Sequence, residues 1–150
     1  MEIGQGWELW GLWGLFLSSF VAATLLPFSS EALLGAMLLQ GWPELPLLGV
    51  ATAGNTLGGL VNFGIGRWVP DGKLARWIGM DPEKAERWRM LAHRHGAWAA
   101  LGCWLPVIGD PIALALGIFR TPLLSTAVLM AVGKAVRYAV VIGALGGTFT

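Results

Sequence analysis

Apolar and polar positions divide the chain into apolar runs separated by turns and one basic stretch. Residues 9–30 carry no charge, but Pro27-Phe28-Ser29-Ser30 interrupts them near their end and Glu31 follows directly. Ala32–Trp42 is apolar again and too short to span a bilayer, which takes roughly 20 residues. The pattern predicts a re-entrant hairpin with arms Trp13–Leu26 and Ala32–Gly41 and a tip at Pro27–Glu31. The competing reading is one spanning helix that ends at Pro27. A two-proline turn, Gly41-Trp42-Pro43-Glu44-Leu45-Pro46, precedes Leu45–Gly66, which is uncharged and long enough to cross.

The second half repeats the theme. Ala97–Phe119 is apolar except for Asp110, and Pro106 and Pro111 flank that region. Two prolines so close cannot both lie inside one regular helix, since each removes a backbone donor and clashes with the preceding turn. The run therefore breaks at Pro106–Asp110, predicting a second hairpin with a carboxylate at its tip. Arg120-Thr121-Pro122 closes it, and Leu123–Gly146 forms a last apolar segment containing Lys134 and Arg137. On a helix those two cations share a face. They either snorkel to an interface or turn inward to meet carboxylates.

Residues 67–95 are the basic connector. Asp81-Pro82-Glu83 reads as an N-cap, a first-turn proline and an acidic first turn, and Gly96 as the stop. Trp88, Leu91, Ala92 and His95 fall on one face, predicting an amphipathic helix on the membrane surface beside anionic lipid. His93 and His95 diverge on a helix, so no metal site is expected. Trp7, Trp10 and Trp13 recur every third residue, either as headgroup-layer anchors or as a packing stripe.

Composition places these runs in a membrane. The 150 residues are 55% hydrophobic and 13% charged, about half the charged share of a soluble domain. Residues 1–66 hold four glutamates and no Lys or Arg, whereas residues 67–95 hold seven of the ten Lys and Arg. That asymmetry follows membrane topology rather than nucleic-acid binding, and puts the connector 67–96 in the cytoplasm. Cys103 is the only cysteine, which excludes a disulfide framework. The acidic N-terminus lacks a basic n-region, so no cleavable signal is expected.

A shift of 79 positions aligns the punctuation: Pro27 with Pro106, Glu31 with Asp110, Pro43 with Pro122, Gly54 with Gly133 and Gly64 with Gly143. A hairpin plus one crossing makes each unit reverse orientation relative to the other. The expected fold is an all-α polytopic membrane domain over 1–150. It has two inverted repeats, about 13–66 and 97–146, each a re-entrant hairpin and a transmembrane helix, joined by the amphipathic helix. Inverted repeats with broken helices describe secondary transporters. The expected proton and substrate site is Glu31, Asp110, Lys134 and Arg137. Two acids and two bases make a neutral set, which eases burial. Asn55, Asn62 and Arg67 are either a secondary polar path or, for the amides, interhelical bonds.

Several pieces carry a family resemblance: Ser30-Glu31, Gly54-Asn55-Thr56-Leu57-Gly58-Gly59, Pro106-Val107-Ile108-Gly109-Asp110 and Gly133-Lys134-Ala135-Val136-Arg137-Tyr138. Over about residues 15–145 the chain resembles the DedA membrane proteins (SNARE-associated or VTT-domain proteins), in their short YqaA-like branch. Two family arginines are replaced by Cys103 and Gly109. The resemblance implies a bacterial inner-membrane protein that moves polyprenyl phosphate or phospholipid at the expense of a proton gradient and supports membrane homeostasis. Its partners would be anionic or phosphate-bearing lipid and protons, with a homodimer plausible from the Gly-rich helices. A membrane assembly factor with structural ion pairs is the rival. No cofactor or metal is expected, and no Ser/His/Asp set or phosphate-cradling loop suggests an enzyme.

Overall fold

The computed structural model describes residues 2–24, 29–69, 81–105 and 109–145. Every element among them is helical: α1 (Glu2–Thr24), α2 (Ser29–Leu39), α3 (Glu44–Arg67), α4 (Pro82–His95), a 3₁₀ segment (Gly96–Trp104), α5 (Gly109–Ile118) and α6 (Leu123–Ala144). Two elements differ from the sequence-based expectation. The first arm does not start at Trp13: α1 begins at Glu2 and runs 23 residues, and no proline stands between Glu2 and Trp13 to stop it. Nor is the first arm of the second unit an α-helix, since Gly96–Trp104 winds as 3₁₀. Leu105 then turns extended (φ −68°, ψ 132°), as the residue before a proline must when the α region is closed to it. The tips at Pro27 and Pro106 lie outside the described residues.

The helix ends obey the local chemistry. The backbone N–H of Glu83 donates to Asp81 Oδ1 at 3.4 Å, capping α4. α2 stops at a left-handed Gly41 (φ 86°), where Trp42 N–H donates to Met37 O at 3.2 Å and Gly41 N–H to Leu38 O at 3.0 Å. This is the paired bonding of a Schellman cap. α5 ends identically 79 residues later. Thr121 N–H donates to Leu116 O at 3.2 Å and Arg120 N–H to Gly117 O at 3.0 Å, with Arg120 left-handed at φ 55°. Pro43 and Pro122 then lead into α3 and α6 with nearly the same backbone angles, −64°/136° and −58°/129°.

Several polar residues sit inside, and many large apolar ones face outward. Ser19, Ser30, Asn55, Thr121, Thr126 and Lys134 are buried. Leu124, Val128, Val132, Val136 and Val140 form an exposed stripe along α6, and Leu57, Val61 and Ile65 another along α3. Such stripes suit lipid as solvent. α6 is long and apolar enough to cross a membrane, alone among the described helices. α3 has the length, but its glycines, asparagines and threonines lower its hydropathy. Trp7, Trp10 and Trp13 point outward, 73%, 77% and 59% exposed, which rules out the packing stripe within this chain.

Two apolar clusters hold the helices. One joins Leu15, Leu34, Leu47, Ala51, Tyr138 and Ile142; the other joins Phe63, Cys103, Ala113, Leu116 and Met130. The start of α3 thus meets the end of α6, and the end of α3 meets the start of α6, so the two run antiparallel. Close approach depends on small residues. A Cβ on Gly54 would strike the carbonyl of Phe16 in α1, and one on Gly117 would strike the carbonyl of Phe63 in α3.

Candidate functional site in the α2–α3–α6 crossing

Between the two apolar clusters lies a polar layer. α6 presents Lys134, Arg137 and Tyr138 on adjoining faces, as spacings of three and four residues require. Lys134 is 1% exposed. Its Nζ donates to Asn55 O at 2.9 Å and also to Asn55 Oδ1. Asn55 Nδ2 in turn donates to Ser19 O at 3.0 Å, which carries the network into α1. A lysine so far from bulk water needs such acceptors, because an uncompensated buried ammonium is strongly disfavoured. Asn55 and Lys134 stand 79 residues apart, the same offset that aligns the prolines and glycines of the sequence.

One turn further along α6, Arg137 pairs with Glu31 at the start of α2: Nε donates to Oε1, and Nη2 also approaches that oxygen. Glu31 is 25% exposed and Arg137 11%. Ser30 and Tyr138 share a hydrogen bond of 2.9 Å between their hydroxyls. Two successive residues of α2 are therefore fastened to two successive residues of α6. Glu31 also borders a crevice of about 620 Å³ whose walls are Gly35 and Leu39 of α2 with Val141 and Leu145 at the end of α6. On α3, Thr52 Oγ1 and Thr56 Oγ1 are buried without a hydrogen-bond partner among the described residues. Native proteins seldom leave hydroxyls so, and water or ligand usually completes them.

The remaining expected site residues are placed as follows. Asp110 stands in the first turn of α5, while its side chain lies outside the described residues. Asn62 and Arg67 make contacts separate from those of Asn55. Asn62 Nδ2 donates to Ala23 O at 2.7 Å, the interhelical role. Arg67 is exposed at the end of α3, where Nη1 donates to Thr121 O at 3.3 Å and the guanidinium lies 5.8 Å from the Phe63 ring centre. The side chains of Trp88, Leu91 and Ala92 on the amphipathic helix lie outside the described residues. Sequence reasoning missed the Ser30–Tyr138 bond. Its signal was available: each residue adjoins a charged site residue within an apolar run.

A VTT domain model matches residues 26–146. The chain belongs to the VTT-domain (DedA) family. Among its VTT-domain relatives, the inner membrane protein YqaA of Escherichia coli is 43% identical over 139 residues, covering 91% of this chain and 92% of the relative. The protein of the same name from Shigella flexneri matches equally. An uncharacterised protein of Haemophilus influenzae is 35% identical over 142 residues, covering 88% and 85%. No solved structure matches. The chain is thus a bacterial inner-membrane protein of the VTT family. The match spans Glu31, Asn55, Lys134 and Arg137, and leaves Ser19 of this network outside it.

Proposed function

We propose that this VTT-domain protein is a proton-coupled lipid translocase whose substrate carries a phosphate, as polyprenyl phosphates and phospholipids do. The carrying observation is the Glu31–Arg137 pair, set in a layer with buried Lys134 and beside an open crevice. A lipid phosphate entering the crevice competes with Glu31 for the Arg137 guanidinium, whose planar fork suits bidentate phosphate binding. The released Glu31 carboxylate is then left without its cation and takes a proton. When the phosphate leaves, Arg137 recovers Glu31 and the proton departs. Lys134 supplies a second positive charge, and Asp110, by its repeat relation to Glu31, acts as the second proton carrier. The protein works as a carrier rather than as an enzyme, without a metal or cofactor.

The same reading makes the domain a multi-pass inverted repeat. Matching caps at an offset of 79 and the antiparallel run of α3 and α6 support it. The basic end, formed by Arg67, α4 and Arg120, is assigned to the cytoplasm. Transport of a labelled phospholipid or polyprenyl phosphate in proteoliposomes under a pH gradient tests the mechanism. Arg137→Ala and Asp110→Asn are expected to abolish gradient-driven movement. Variants that still move lipid at the wild-type, pH-dependent rate would remove the proposal.

A second reading is favoured by one observation: Glu31 and Arg137 satisfy each other within the protein, as a purely structural clamp would. In that case the protein is a non-transporting assembly or stability factor. Exchanging the charges with Glu31→Arg and Arg137→Glu separates the two. A clamp survives the exchange in abundance and function, whereas a phosphate site loses transport while the fold remains.

A further inference from the structure

A second cavity, of about 830 Å³, lies at the basic end of the molecule and, among the described residues, shares none with the Glu31–Arg137 layer. Three separate elements supply its guanidiniums: Arg67 from the end of α3, Arg87 and Arg94 from α4, and Arg120 from the turn between α5 and α6. Among the described residues, one carboxylate, Glu86, stands against these four. Met90 and Phe119 add apolar wall, and the arginine stems extend it. Two bonds tie the walls together. His93 Nδ1 lies 3.4 Å from Arg120 O, and Arg67 Nη1 donates to Thr121 O at 3.3 Å. The Arg67 bond uses one of the five N–H donors that a guanidinium carries.

Arg120 is the most informative of the four. It occupies the left-handed position of a Schellman cap, where glycine is the ordinary residue. The equivalent position in the first half is Gly41. A non-glycine residue held at positive φ is a recognised pointer to function. Here the left-handed residue lines the cavity together with Arg67, Arg87 and Arg94.

We propose that this cavity is a binding site for a phosphomonoester group, separate from the transport layer. Guanidinium clusters recognise phosphate by paired, charge-assisted hydrogen bonds. A dianion matches a surplus of arginine over glutamate better than the monoanion of a phosphodiester does. The apolar wall favours a phosphate attached to hydrocarbon, and a lipid headgroup or a soluble phosphomonoester supplies the same chemistry. The proposal does not rest on the transport reading, and its test measures binding alone.

The full chain is reconstituted in phosphatidylcholine nanodiscs containing either phosphatidic acid or phosphatidylglycerol, and retained lipid is measured by native mass spectrometry after release into detergent. Phosphatidic acid is expected to be retained in preference to phosphatidylglycerol. The double variant Arg87→Gln with Arg94→Gln is expected to lower that retention about tenfold or more, two charge-assisted bonds being lost. Glu86→Gln, which adds no new charge, is expected to raise it. Displacement of the lipid by inorganic phosphate identifies a site that reads the headgroup alone. Resistance to inorganic phosphate identifies one that needs the acyl chains, and both keep the phosphomonoester assignment. Equal retention of the two lipids, or unchanged retention in the double variant, overturns it.

Discussion

Arg137 and Lys134 occupy one helix face, yet their surroundings set them different tasks. Lys134 is closed off and bonded to Asn55, while Arg137 and its partner Glu31 keep some exposure. Removing one member of a buried pair strands the other, and the full effect is about 3–5 kcal/mol. Partial exposure of Glu31 softens that figure, so Arg137→Ala is expected to destabilise the protein by about 2–3 kcal/mol. A double-mutant cycle with Glu31→Gln and Arg137→Gln, read by thermal unfolding in detergent, should give a coupling of about 1–3 kcal/mol. A coupling near zero would mean that the pair is not formed in solution. Arg120 makes the opposite prediction. Its left-handed backbone stores about 1 kcal/mol or more, so Arg120→Gly should raise the unfolding temperature while weakening phosphomonoester binding. At this scale the sequence was informative where charge interrupts apolar runs, which singled out Glu31, Lys134 and Arg137. It joined these cations to the carboxylates as a set without assigning individual partners. Nothing in a linear pattern told that Lys134 would reach Asn55, because that contact depends on how closely α3 and α6 cross.

Among elements, the helix ends were legible and the helix type was not. Pro43, Pro82 and Pro122 mark starts that the structure places within a residue of them, because proline fits the first turn and little beyond it. The 3₁₀ winding of Gly96–Trp104 carried no such mark. Its apolar residues fit an α-helix equally well, and only packing against α6 and α5 distinguishes the two. The glycines of α3 divide in the same way. Gly54 abuts the Phe16 carbonyl, whereas Gly49 has open space around it. Gly54→Ala should therefore destabilise the α1–α3 contact by about 1–3 kcal/mol through overpacking. Gly49→Ala should be neutral or stabilising by up to about 1 kcal/mol, since alanine stiffens the unfolded chain and favours helix. Unfolding temperatures of the two variants, measured side by side, check this. Similar losses at both positions would show that helix–helix distance is not what limits α3.

For the whole molecule, the distribution of charge and the path of the chain together predict an orientation. Arg67, Arg87, Arg94 and Arg120 come from three elements and converge on one cavity at one end. Gln40 and Gly41 lie in the turn that precedes α3, and Arg67 in its last turn, 24 helical residues away. A helix of that length rises about 36 Å, more than the hydrocarbon thickness of a bilayer. If α3 crosses the membrane, Gln40 and Arg94 must face opposite compartments, and the positive-inside rule makes the Arg94 side cytoplasmic. Single cysteines at these two positions, Gln40→Cys and Arg94→Cys, in a Cys103→Ala background, turn that statement into a measurement. Both positions are exposed, so reagent access reports sidedness rather than burial, and Cys103 is itself buried. An impermeant maleimide added to intact cells stripped of their outer membrane should label the Gln40 variant at once and the Arg94 variant only after lysis. Labelling of both from one side would leave α3 short of crossing and would overturn the proposed inverted repeat.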